Sequence, residues 1–289
     1  MGALNMNMNM NMNMNMGAPG LGLPSVAPTQ IRFNTADYRK LVKNPPDWNL
    51  AVDPTRKSPE NWDPELRSYA YLAEFVHGTP DWLDKLITAI QPFKPTAATY
   101  EAQLALMLDE APDREDRFAE IIHQHDAEGA ISYFLGMLMI DPARHSKTYL
   151  LIRVARRIGE LATMALKNTF AVPRPSELCP VIMPMIDPPA TPSYPAGHAL
   201  EAHLIARCLI ETWAKHPVAT PPPVRQARID LLHYLAHRIG ENRVIAGLHY
   251  PLDIKGGHEG ARKCYELMAI PANTEFKKLI DGAYAESMA

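Results

Sequence analysis

A chain of 289 residues that is 47% hydrophobic holds enough apolar material for one large core or two small ones. Its net charge of −3 argues against nucleic acid or an anionic membrane surface as a partner, since both select a basic excess, so any anion site has to be local. Three widely spaced cysteines, Cys179, Cys208 and Cys264, match no metal-binding or redox spacing; they read as core thiols and not as a disulfide framework.

In chain order, residues 1–22 open on an alternating Asn-Met repeat and read as a disordered low-complexity tail. The tail has no basic start and no continuous apolar stretch, so no secretory signal is recognised and the cytoplasm is the default location, with a periplasmic or secreted one left open. Residues 23–289 predict one all-α domain. Within it, 23–59 form a Pro-, Asp- and Asn-rich extended arm, 60–144 the N-terminal helices, 145–268 the core with the motifs described below, and 269–289 a C-terminal segment. Helices are predicted from Asp63-Pro64 to about His77, from Thr79-Pro80-Asp81 to about Ile90, and from Thr96 to about Glu110. Asp113 to Ile140 reads as one long helix whose apolar end is too short to span a bilayer. Further helices follow at about His145 to Thr169, Gly197 to Lys215, Val224 to Ile245 and Pro251 to Met268, packed as a bundle around a site built from their ends. No alternating strand pattern interrupts them, and no heptad run argues for the homo-oligomer that such an apolar body could form.

Three blocks carry the chemistry. Lys167-Asn168-Thr169-Phe170-Ala171-Val172-Pro173-Arg174-Pro175 places a lysine in the last turn of one helix and an arginine on its exit, where both can fold toward one anion. Pro192-Ser193-Tyr194-Pro195-Ala196-Gly197-His198 is a rigid turn that opens a helix, whose free amides attract anions and whose Gly197 permits close approach. In Arg243-Val244-Ile245-Ala246-Gly247-Leu248-His249-Tyr250-Pro251-Leu252-Asp253, Gly247 and Pro251 imply a break between helices. With Pro251 as first helical residue, Asp253 falls in the first turn, where it could hold one nitrogen of His249.

The order and spacing of these blocks resemble the three-part signature of bacterial class A acid phosphatases, type 2 phosphatidic acid phosphatases and vanadium-dependent haloperoxidases, over roughly Lys167 to Gly257. The resemblance implies a helical bundle of that type, in which Lys167, Arg174, Arg243 and the backbone N–H of Gly197 cradle phosphate or vanadate. It implies His249 as nucleophile or axial vanadium ligand, Asp253 as its orienting partner and His198 as acid/base. Two departures stand out: Ala196 occupies the usual place of a serine, and Asn242 that of the serine that often precedes the arginine.

The leading expectation is a soluble phosphohydrolase that cleaves phosphomonoesters through a phosphohistidine, with no cofactor and a small phosphorylated substrate as its partner. The second is a haloperoxidase that uses vanadate on the same residues, with halide, peroxide and an organic acceptor; the third is a catalytically silent anion-binding homologue. His233 and His237 stand one turn apart with no third metal ligand apparent and read as helix-surface histidines, while His123, His125 and Asp126 point apart.

Overall fold

The computed structural model describes residues 62–214 and 222–287; the tail and arm expected over residues 1–59 and Lys215 lie outside them. Among the described residues every regular element is helical: α1 Pro64–Gly78, α2 Trp82–Ile90, α3 Tyr100–Asp109, α4 Arg114–His123, α5 Ala127–Leu138, α6 Ser146–Phe170, α7 Pro175–Leu178, α8 Gly197–Leu209, α9 Pro222–Ile245, α10 Pro251–Met268 and α11 Thr274–Glu286.

Local chemistry sets most of these ends. Asp63 accepts from the amides of Glu65 and Leu66, and Pro64 fills the first helical position, where its missing N–H costs nothing. The long helix expected from Asp113 to Ile140 is in fact two. Its chain turns at Gln124 and restarts where Asp126 accepts from the amide of Gly129 at 2.6 Å, an N-cap inside what reads as a continuous periodic run. α8 gives way at its C-terminal end to a π-helical turn, Ile210–Ala214. Two elements have no counterpart in the expectations: the single turn α7 and the last helix α11, which docks on α1 and α6.

α8 is the axis of the body, packed against α6, α9 and α10, with α1 and α11 laid on α6 and α2 laid on α10 and α6. Its apolar residues Ala199, Leu200, Leu204, Cys208 and Leu209 are fully buried. α10 reaches α8 and the turn before it through paired glycines. A Cβ on Gly256 would sit 2.4 Å from the Tyr194 ring, and one on Gly257 2.8 Å from the Ala196 carbonyl oxygen. That contact fixes the site, because α10 begins two residues after His249.

Candidate functional site

The sequence from Pro192 to His198 is held at both ends. Ser193 N donates to Val172 O at 2.8 Å, tying the turn to the exit of α6, and the buried Tyr194 hydroxyl donates to Ile90 O at 2.5 Å, tying it to α2. Ala196 N donates to Asp253 O at 3.1 Å, which joins the turn to α10. Ala196, at the N-cap of α8, has no side chain to bond the helix's first amides, so the N–H groups of Gly197 and His198 remain available to a ligand.

Around this turn the residues singled out by sequence come together. Lys167 is buried in the last turn of α6, and its ammonium donates to the carbonyls of Pro192 and of Ser193, the latter at 3.1 Å. Two of its three protons are thereby committed and one is left. Burial first, and then the neighbouring Arg174, draw its pKa down. Arg174 is clamped at the exit: Nε donates to Thr191 O at 2.9 Å, Nη2 to Thr191 Oγ1 at 3.2 Å, and Nη1 to Leu248 O at 3.0 Å.

Arg174 Nη1 also stands 3.2 Å from His249 Nε2. A guanidinium can only donate, so Nε2 carries the lone pair and Nδ1 the proton. Nδ1 faces Asp253 Oδ2 at 3.1 Å, across the step from Tyr250 into α10. Oδ2 also accepts from Tyr250 N at 3.0 Å and from the Ser193 hydroxyl, whereas Oδ1 is buried without a protein partner. Burial raises the Asp253 pKa, opposed by these bonds and by Lys167 and Arg174. His249 itself is held well below the usual imidazole range, by burial first and then by Lys167, Arg174, His198 and Arg243. It is a neutral base at pH 7.

Arg243, near the end of α9, is 1% exposed. Nη2 donates to Ile121 O at 3.0 Å, while Nε and Nη1 have no protein partner. Its charge acts on both imidazoles. His198, in the first turn of α8, is half-buried with Nε2 at 3.3 Å from the His125 carbonyl; burial and then Arg243 lower its pKa.

Several participants lie outside the three blocks or went unassigned within them. Ser193 stands in the central turn, yet only the fold, sixty residues across, puts its hydroxyl on Asp253. α4 supplies Ile121 O to Arg243, and the segment after it supplies His125 O to His198. Arg114 of α4 donates to the carbonyls of Ile245, Met183 and Ile182 at 2.8 to 3.0 Å, pinning the end of α9. Asn242 is buried where a serine is usual, accepting from Arg117 at 3.0 Å and donating to Gln124 Oε1 at 2.8 Å. It holds α9 to α4 and sets Arg243 by its neighbour. The Ala196 methyl is fully buried in the wall of the turn. Beside Gly197, Thr163 Oγ1 on α6 is a buried hydroxyl without a protein partner, one turn before Lys167.

Among the described residues no helix is long and apolar enough to cross a membrane, and no group of three or more His, Cys, Asp or Glu side chains is placed to hold a metal ion. No family model matches the chain, and no curated protein matches it. Among solved structures the chain is similar to a transmembrane PAP2-type phosphatidylglycerolphosphate phosphatase from Bacillus subtilis, with 18% identity and a TM-score of 0.45 over 67% of this chain and 94% of that one.

Proposed function

We propose that this chain is a phosphohydrolase that cleaves phosphomonoesters through a covalent phosphohistidine at His249. The observation that carries the reading is the buried Arg243 guanidinium. Three of its N–H groups lack a protein partner, and it stands by two imidazoles, one of them locked by a carboxylate with its lone pair toward Arg174. A cation buried in this way is costly unless an anion completes it, and a phosphoryl group brings the charge and the acceptor oxygens to do so.

In the first step Arg174 Nη1 gives up its bond to His249 for one to a phosphoryl oxygen, the freed Nε2 lone pair of His249 attacks phosphorus and the ester P–O bond breaks, while His198 gives the leaving oxygen a proton. In the second, His198 takes a proton from water as its oxygen attacks, the P–N bond breaks, and its electron pair returns to Nε2 with release of phosphate. Asp253 holds the Nδ1 proton throughout and stabilises the positive charge that the ring acquires. Arg243, the remaining Lys167 proton and the amides at the start of α8 oppose charge on the equatorial oxygens. His198 is poorly basic in the free protein, but a bound phosphate dianion raises its pKa and lets it serve as the acid.

Vanadate would use the same donors, with Nε2 of His249 as its ligand. Retaining it as a resting cofactor asks for a full set of hydrogen bonds, and Ala196 brings a methyl where the resemblance implies a hydroxyl, so hydrolysis is the reading we keep. A parallel assay tests it. The protein should hydrolyse an aryl phosphate and yield an acid-labile, alkali-stable phosphoprotein on rapid quenching, both abolished by His249→Ala. Vanadate-dependent bromination in place of hydrolysis would support the haloperoxidase, and phosphate binding without either activity the silent homologue.

A further inference from the structure

Away from the cations of the oxyanion site, four imidazoles from three helices face one groove. His233 and His237 stand one turn apart on α9, His258 comes from α10, and His203 from α8 forms the floor at 8% exposed. They line a cavity of about 620 Å³ that also takes in the carboxylates Glu110 and Glu241. His203, His233 and His258 line a smaller recess as well. None of the four rings has a hydrogen bond among the described residues, and none is used by the mechanism above.

The sequence gives His233 and His237 no third ligand, but the fold brings them two more. His203 and His258 are already paired, with ring centroids 4.4 Å apart and planes at 40°. Two imidazoles on one tetrahedral ion, each bound at about 2 Å, have centroids about 5 Å apart, within about 1 Å of the spacing of this pair. No three donors converge on one point as the side chains stand. The remaining ligands therefore come from His233 and His237, which are exposed, share one face of α9 and turn between staggered rotamers freely.

We propose that this groove binds one borderline divalent cation of the Zn²⁺ type, through His203 and His258 together with one or both of His233 and His237. Imidazole nitrogen selects Zn²⁺, Ni²⁺ or Cu²⁺ over Mg²⁺ and Ca²⁺, which prefer oxygen. The carboxylates Glu110 and Glu241 offset the charge of Lys255 in the groove and of Arg207 and Arg262 in the recess. The bound ion braces α9, the helix that ends in Arg243, against α8 and α10.

The test is calorimetric titration of the metal-free full chain with Zn²⁺, with thermal unfolding followed in parallel and Co²⁺ as a spectroscopic stand-in. The expected result is one saturable ion per chain, a raised unfolding temperature, and the visible absorption of four-coordinate Co²⁺. Replacing His233 and His237 together by Asn, at exposed positions, should weaken Zn²⁺ binding more than the ~10- to 100-fold lost with a mere supporting partner. It should leave aryl phosphate turnover by the metal-free protein unchanged, so this result is independent of the phosphohydrolase reading. His258→Gln should weaken binding likewise. A wild type that takes up none of Zn²⁺, Ni²⁺ and Cu²⁺ saturably, or undiminished binding by the double variant, overturns the proposal.

Discussion

Replacing Arg243 by methionine separates the cost of the oxyanion site from its use. Arg243 is 1% exposed and gives one hydrogen bond, to Ile121 O at 3.0 Å, while Nε and Nη1 have no protein partner. Burial has drawn its pKa down to about 10, the mark of a charge that the fold holds at a loss. A buried ion with no directly paired counter-ion, Glu120 acting on it only through space, costs several kcal/mol, more than the roughly 1.5 to 3 kcal/mol of its single bond to a carbonyl. Methionine has similar reach and no charge, so in a buffer free of phosphate and sulfate Arg243→Met should unfold at or above the wild-type temperature. Phosphate should reverse the order. At a hundredfold excess over Kd it stabilises the wild type by about 2.7 kcal/mol. The variant lacks about two charge-assisted bonds to the anion, together some 3 to 6 kcal/mol, so it should bind phosphate about 10²- to 10⁴-fold more weakly and gain at most about 0.4 kcal/mol at that concentration. Scanning fluorimetry with and without phosphate, backed by calorimetry, reads both quantities. A variant that unfolds well below the wild type without phosphate and keeps its phosphate-induced shift would refute the reasoning.

Asp253→Asn should fold, because the amide oxygen can keep the Oδ2 position that accepts three donors and the NH₂ can take the unpartnered Oδ1 position. With only the charge lost, kcat for an aryl phosphate should fall about 10²- to 10⁴-fold with little change in KM; a raised KM at unchanged kcat would point to substrate binding instead. Ser193→Ala removes a donor that holds the Asp253 pKa down, so that pKa rises. Activity that needs the carboxylate is lost as pH falls through it, and the acid limb of kcat/KM should move to higher pH; an unmoved limb would separate Ser193 from the carboxylate. Glu201, half-buried on α8, has its pKa pushed up from 4.5 to about 7 by burial. The folded state thus keeps a proton that the unfolded chain releases, and between pH 4.5 and 7 stability falls with rising pH, by up to about 3 kcal/mol. Glu201→Gln should therefore match the wild type near pH 4.5 and unfold at a higher temperature at pH 8, and equal temperatures at both pH values would exclude the effect.

What the sequence makes legible here is what backbone chemistry decides locally. Proline at the first helical position places the start of α10, and with it the step that sets His249 over Asp253; Gly247, at φ +80°, marks the break before it. Lys167 is placed by the end of a strongly periodic helix. The expectations fail where a local rule competes with another or where the partner is distant. Between His123 and Ala127 the reading follows the apolar periodicity and carries one helix through, whereas in the fold Asp126 caps a new one. Ser193, Ile121 O and Gln124 enter through contacts that span about 60 to 120 residues, for which no spacing rule exists. Asn242 is the instructive case: in sequence it is only a departure from a pattern, and in the fold it joins α9 to α4 beside Arg243.

The charges of the site also explain one another. Burial first, and then Lys167, Arg174 and Arg243, suppress the protonation of His249, and burial and then Arg243 that of His198. On the reading proposed here, that suppression is what makes the nucleophile available at neutral pH, because a protonated Nε2 could not attack phosphorus. Burial and then Arg243 would hold His198 out of its acidic form, were the site to act without an anion. A phosphate ester cancels the field of the cations as it binds, so the proton that His198 needs becomes favourable only once there is a leaving group to receive it. The imidazole that must stay bare is locked to a carboxylate through its other nitrogen. The one that must change state has its Nε2 against a backbone carbonyl and its ring partly open to water, from which a proton can come and go.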